Sequence, residues 1–400
     1  MDGGSTLHRA GRTWLYGMKI MVIAGCSEGF VMPLVPLSWA LRAAGHDVLV
    51  AASENMGPTV TGAGLPFAPI CSAVEMPEVL SYDRDGNRTT MPREEEPLLQ
   101  HIGRGYGRLV LRMMDQALAL ADQWHPDLVL TETYSLTGPM VAAARGIPWV
   151  EQAIRLVSPE TIKKAAVGEL APELKALGRT DVPAPVLSLD VCPPGMGPRA
   201  LPGTTKMRYV PYNGRTEKVP SWVFQEREKP RLCLTFGTRV PLPNKNTVPG
   251  GLTLLQALTH ELPKLGFEVV VAVSDSLART LDPLPEGVLA AGQFPLSAIL
   301  PACDVVVHHG GHGTTLTCLA EGVPQVSVPV IAEVWDSARL LHAAGAGVQV
   351  PWTEASVETV TAACTAVRDD SSYAKTARAL KDEMATLPSP ADIVRLIEQA

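Results

Sequence analysis

The sequence predicts an α/β protein of two doubly wound parallel-sheet domains facing each other across a cleft. Three observations lead there. Short, nearly all-apolar runs alternate with helical stretches, as strands buried on both faces of a parallel sheet require. The alternation occurs twice, once from Met18 and again from Arg231. The segment between, residues 214–230, is polar, holds two prolines and has the composition of a linker.

Residues 1–17 read as an extension outside the fold. Met18 opens the first strand, residues 19–24. Residues 36–44 read as a helix closed by Gly45, where a C-cap glycine belongs. Residues 47–51 are the next strand, and this βαβ unit begins a doubly wound sheet. Another buried run spans 126–131, followed by a helix near 138–145 and a strand from Pro148. Residues 72–96 show no periodicity and include Tyr82, so they read as a long loop, either a flap over the cleft or plain surface. The second series runs through 231–236, 267–273, 288–290, 305–307, 325–328 and 348–350. The first domain is thus expected over 18–213 and the second over 231–385, with a last helix in 386–400 packing back onto the protein. Both sets of strand C-termini would point into one cleft, where ligands bind in this architecture.

Composition narrows the function. A net charge of -7 and a pI near 5.8 exclude the basic face of a nucleic-acid binder. No basic run suits an anionic membrane surface, and no apolar run reaches the roughly 18 residues of a membrane span. Seven cysteines without a C-x-x-C pair fit a reduced, cytoplasmic protein. Ile23-Ala24-Gly25-Cys26 looks like a lipoprotein cleavage box, but the apolar core before it falls short of the roughly 7–15 residues of a signal peptide. The sequence does not fix the oligomeric state, and a homodimer stays open.

The segment with the clearest chemistry is Val307-His308-His309-Gly310-Gly311-His312-Gly313-Thr314-Thr315. It leaves a strand, passes through glycines and opens a helix. Glycines let backbone approach a ligand, and the free N–H groups and dipole of a helix start favour an anion. The hydroxyls of Thr314 and Thr315 add donors, and His309 is the best placed histidine. A diphosphate fits. Zinc is a weaker reading, because adjacent strand residues face opposite ways and no acidic or cysteine ligand sits at usual spacing. No metal or cofactor is expected. A turn needed only for packing is the bland alternative.

These features resemble the glycosyltransferase-B fold enzymes of actinomycete antibiotic pathways, which use nucleoside-diphosphate deoxysugars. The likeness rests on residues 42–48, 308–315, 322–325 and 343–347. It implies two Rossmann-like domains, with acceptor bound by the first and nucleotide sugar by the second. It further implies that His309, Gly311, Gly313 and Thr314 hold the donor diphosphate, helped by Gly237 and Thr238. Residues 292–296 match the loop that receives the nucleobase, making Phe294, Pro295 and Leu296 candidates there. Gln293 stands where most of the family has tryptophan.

Two departures are informative. The family's acceptor-deprotonating histidine is replaced by Phe30, three residues before Pro33. Any base must come from elsewhere: Glu132, at the end of a strand, comes first and Glu28 second, ahead of Glu151, Arg155 and Asp127. Phe30, Met32, Tyr82 and Arg155 are acceptor-side candidates. The second departure replaces the family's sugar-binding Asp-Gln pair by Glu333 and Val334. Valine cannot hydrogen-bond through its side chain, so a sugar with fewer hydroxyls would leave fewer groups unpaired. Together the departures resemble C-glycosyltransferases of angucycline- and tetracycline-type aromatic polyketides, the olivosyl enzymes most closely. The resemblance implies transfer of an olivose-like deoxysugar from TDP, with inversion, to a ring carbon ortho to a phenol. O-transfer from the same donor class stays open. An NAD-dependent oxidoreductase is disfavoured, because Ala24–Gly29 is not a G-x-G-x-x-G turn. A sugar-nucleotide epimerase lacks the motif pattern, and a non-catalytic auxiliary protein that has lost its base is the remaining class.

Overall fold

The structure is a computed structural model and describes residues 17–197, 203–214, 218–237 and 250–400. Thirteen strands lie in its described residues, in two all-parallel sheets. The first holds β1 (Lys19–Ile23), β2 (Asp47–Ser53), β3 (Phe67–Cys71), β4 (Leu128–Glu132), β5 (Trp149–Gln152), β6 (Leu187–Asp190) and β7 (Thr204–Lys206), ordered 3-2-1-4-5-6-7. The second holds β8 (Arg231–Thr235), β9 (Glu268–Ala272), β10 (Val288–Gly292), β11 (Val305–His308), β12 (Gln325–Ser327) and β13 (Gly347–Gln349), ordered 10-9-8-11-12-13. Each order reverses beside its first strand, at β1/β4 and at β8/β11. The crevice at a switch point is where such sheets take ligands. Glu132 ends β4 and His309 follows β11, so each lies at one of these points.

The first half of the chain is more helical than its sequence suggests. A 30-residue helix, Glu95–Trp124, runs along the first sheet. Its Gly103, Gly105 and Gly107 let neighbours come close: a Cβ on Gly103 would stand 2.3 Å from the Ile162 carbonyl oxygen, and one on Gly107 2.9 Å from that of Ala166. The stretch expected to be a structureless loop is ordered. It contains the helix Met76–Leu80 and an antiparallel bridge between Tyr82 and Arg88, and Arg84 ties it to Glu173 at 2.6 Å. The segment between the sheets is likewise more than a spacer, since Trp222 is buried in a 3-10 turn, Ser221–Phe224.

The chain crosses between domains a second time. Helix Pro390–Gln399 buries Ile393, Val394 and Ile397 in the core of the first domain. His46 meets Glu398 at 3.1 Å there. The two passages touch each other, Arg208 N–H donating to the Pro388 carbonyl at 2.8 Å.

Candidate active site

The glycine turn divides its histidines by role. His308 points into the second sheet, where its Nε2 donates to Gln325 Oε1 at 2.8 Å and its Nδ1 accepts the Gly310 N–H at 3.1 Å. Burial pushes its pKa down to about 3. It is neutral, and both ring nitrogens are satisfied. His309 lies on the other side, between two glycines. A Cβ on Gly237 would come within 2.6 Å of its Cε1, and one on Gly311 within 2.5 Å of its Nε2. Gly237 and Gly310 also hold φ of +67° and +83°, conformations that glycine adopts most easily. Burial lowers the His309 pKa to about 4. His309 Nδ1 and His312 Nε2 are buried without a hydrogen-bond partner. Groups of this kind call for an occupant.

Helix His312–Glu321 starts at Gly311, whose carbonyl accepts the first intrahelical bond from Thr315 N–H at 2.9 Å. The N–H groups of His312, Gly313 and Thr314 precede that bond and stay available to an anion. Gly313 supplies its N–H rather than room, because a Cβ there would meet only the Tyr209 hydroxyl at 3.9 Å. Thr314 is half-buried in the first turn. Thr315 corrects the sequence reading: it is buried, and its hydroxyl bonds back to the Gly311 carbonyl at 3.1 Å. Thr238 lies outside the described residues.

The neutral state of His308 has a measurable consequence. Between its ordinary value and about 3, the unfolded chain binds a proton that the folded chain refuses. Stability therefore falls as pH drops below 6.5, by about 2 kcal/mol at pH 5 for this residue alone. Urea unfolding at pH 7.5, 6 and 5 tests this, and a flat profile would refute it.

In the loop after β10, Phe294 meets Trp222 edge-on at 6.0 Å. Pro295 is buried and precedes the short helix Leu296–Ile299, while Leu296 packs on the same apolar cluster. Gln293 is exposed, its N–H held by Asp275 Oδ1 at 3.1 Å. Trp222 was not singled out from sequence.

On the first domain the cleft carries a buried aromatic and charged network. Phe30 packs edge-on against Tyr106 at 5.7 Å, and Tyr106 stacks on Tyr134 at 5.2 Å. The Arg155 guanidinium lies 4.2 Å over the Tyr134 ring. Arg155 is only 2% exposed, and its Nε and Nη1 have no hydrogen-bond partner. Glu132 is 1% exposed, accepting Ser135 Oγ–H at 2.5 Å and Tyr134 N–H at 2.8 Å. Burial raises its pKa, partly offset by Arg155. Glu28 is half-buried at the start of a short helix, 3.5 Å from the Thr59 hydroxyl. Of the weaker candidates, Asp127 accepts Lys19 N–H at 2.9 Å and Glu151 faces the Ser188 hydroxyl at 3.4 Å.

Three expected contacts stand elsewhere than the sequence implied. Tyr82 is 45% exposed at its bridge with Arg88, outside this network. Met32 packs where the chain passes between domains, its Cε 3.2 Å from a Cβ placed on Gly214. Val334 is buried under the glycine turn, its Cγ2 3.1 Å from a Cβ placed on Gly310, rather than open to a sugar. Glu333 reaches across the cleft, accepting a hydrogen bond from the Tyr106 hydroxyl and facing Arg155 Nη1 at 3.9 Å. Tyr106 and Tyr134 escaped the sequence reading; the signal for Tyr134 was its place just beyond the end of β4. Among the described residues, no group of three or more His, Cys, Asp or Glu is arranged to hold a metal, and no helix is long and apolar enough to cross a membrane.

Two doubly wound domains, with a glycine-rich turn into a helix at one switch point and a buried aromatic network at the other, have the architecture of a glycosyltransferase-B fold. Comparison with known proteins specifies the class. The models for the N- and C-terminal domains of erythromycin biosynthesis protein CIII-like proteins match residues 39–237 and 256–399. The chain belongs to this glycosyltransferase family. It is 77% identical to the glycosyltransferase SsfS6 of Streptomyces sp. SF2575, whose crystal structure was determined with thymidine diphosphate. The TM-score is 0.87, over 96% of this chain and 100% of that one. It is 37% identical to an L-demethylnoviosyl transferase of Streptomyces niveus, over 94% of this chain and 96% of the relative. Spinosyn rhamnosyltransferase SpnG, solved with spinosyn aglycone, is 31% identical with a TM-score of 0.82, over 95% of this chain and 100% of that one.

Proposed function

We propose that this glycosyltransferase moves an olivose-like deoxysugar from a TDP carrier to an aromatic polyketide, forming a C-glycosidic bond ortho to a phenol with inversion. The observation that carries the donor side is the pair of unpartnered buried nitrogens, His309 Nδ1 and His312 Nε2, beside the open N-terminus of helix His312–Glu321. A diphosphate would satisfy both, and its negative charge would be stabilised by the helix as the bond to the sugar breaks. Thymidine diphosphate bound to a protein 77% identical supports the same ligand. Phe294 and Leu296 would border the base, and Glu333 would face the sugar.

On the acceptor side, Phe30, Tyr106 and Tyr134 form a buried aromatic cluster that would back the site of a planar polyphenol. Glu132 serves as the base. Its raised proton affinity suits a phenol, and Ser135 supplies the path. The phenol gives its proton to Ser135 Oγ as Ser135 passes its own to Glu132. The phenolate then bears charge on its ortho carbon, which attacks the anomeric carbon as the diphosphate departs. The resulting dienone loses the proton of that carbon to solvent and regains the phenolic proton from Glu132 through Ser135, restoring the aromatic ring. A phenol needs a weaker base than an alcohol does, which fits a site with Phe30 in place of histidine.

Calorimetric titration of TDP, UDP and NAD tests the donor side without knowledge of the acceptor. TDP should bind tightest. His309→Ala should weaken it ten- to a hundredfold, through loss of a charge-assisted hydrogen bond. Gly311→Ala should do the same by displacing the His309 ring. Tight NAD binding with no response to TDP would overturn the reading.

A further inference from the structure

Glu333 belongs to the second domain, yet its carboxylate is fixed by the first. Tyr106, on helix Glu95–Trp124, donates its hydroxyl to Glu333 Oε1, and Arg155 faces the same oxygen at 3.9 Å. Oε2 takes no hydrogen bond from the described residues. The backbone around Glu333 is clasped in the same direction. Ala332 is buried in the aromatic core of the first domain, and Trp335 packs against it. One helical turn further, Arg339 Nη2 meets Glu95 Oε1 at 2.6 Å. The next residue, Val334, underlies Gly310 of the anion-binding turn. Glu333 thus stands between that turn and the acceptor-side aromatics, where a sugar carried on the distal phosphate must lie.

From this geometry we infer that Tyr106 is a positioning residue for the donor sugar. It orients Glu333 so that Oε2 faces a sugar hydroxyl, which makes sugar recognition depend on the acceptor-binding domain and on closure of the cleft. The inference rests on the proposed donor class, because it assigns Glu333 to the sugar of a TDP-sugar. The nucleotide itself lies beyond the reach of this device. Loss of the Tyr106 hydroxyl should therefore separate sugar from nucleotide.

The test uses Tyr106→Phe, with TDP and a TDP-2,6-dideoxyhexose as probes. TDP affinity should stay at the wild-type value and the protein should stay folded, with the urea midpoint lowered only by the loss of one hydrogen bond, while KM for the TDP-sugar rises about tenfold. Glu333→Gln should raise KM as well, and the double variant should be no worse than Glu333→Gln alone, as expected when one residue acts through the other. An unchanged KM in Tyr106→Phe would overturn the inference, as would equal losses for TDP and TDP-sugar, or additive effects in the double variant. Failure of the wild-type protein to turn over any TDP-sugar would instead remove the functional reading, and this inference with it.

Discussion

Exchanging Glu132 for glutamine should lower kcat by a factor of about a hundred to ten thousand, the usual contribution of a positioned acid–base group. The substitution keeps the shape of the side chain and an oxygen to accept the Tyr134 N–H, now at 2.8 Å. It removes only the capacity to take a proton from Ser135. TDP affinity should not change, because the glycine turn proposed to hold the diphosphate belongs to the other sheet. Glu28→Gln should stay within a fewfold of wild type, since Glu28 is half-buried and its one hydrogen-bond contact is the Thr59 hydroxyl at 3.5 Å. Single-turnover rates with a phenolic acceptor would check both. A Glu132→Gln enzyme as fast as wild type would remove Glu132 as the base. If Glu28→Gln were the slow variant, the role would pass to it. Unchanged rates in both would place the base at another residue.

Replacing Arg155 by methionine should produce the largest loss of stability at the cleft, about 3–5 kcal/mol. Arg155 is the positive charge that lowers the Glu132 pKa against the cost of burial, and it also faces Glu333. Without it, the 1%-exposed Glu132 carboxylate has no buried counter-charge. The pH dependence has a definite sign. A carboxyl whose folded pKa is raised binds more protons folded than unfolded, so the variant should lose stability as pH rises from about 4.5 through the folded value. That is opposite to the histidine effect. Adding Glu132→Gln should restore much of the loss, because no unpaired buried charge then remains. Urea unfolding of the single and double variants decides it. A single variant within 1 kcal/mol of wild type, a magnitude expected of a surface ion pair, would show that Arg155 does not balance the buried carboxylates.

Much of the fold was legible because parallel strands buried on both faces are nearly uniform apolar runs, and β1, β4, β8 and β11 are such runs. The glycine turn was legible for a related reason, since glycines before a helix carry a local backbone requirement. Helix Glu95–Trp124 was not recognised. Its three glycines weaken helix propensity; Gly103 and Gly107 allow close approach to the helix Glu160–Glu169, a partner more than 50 residues away in sequence, and Gly105 allows close approach to Leu80. Strand β6 and the edge strand β7 beside it are short and only half-buried, so they lack the continuous apolar run. The acceptor network was hidden because its members come from distant parts of the chain. Phe30, Tyr134 and Arg155 follow β1, β4 and β5, and helix Glu95–Trp124 brings Tyr106 against the first two. Val334 read as a sugar contact because a motif position does not tell which way a side chain points.

The return of the last helix to the first domain means that chain order and structural membership differ. Residues 390–399 are encoded after the second domain but complete the hydrophobic interior of the first. A hybrid enzyme made by joining the front of this chain to the back of a relative at residues 214–230 would therefore carry a foreign plug in its first domain. Hybrids with two junctions, one there and one just before Ser389, would keep each half with its own packing partners, while the contact of Tyr106 with Glu333 would still couple the exchanged half to the retained one.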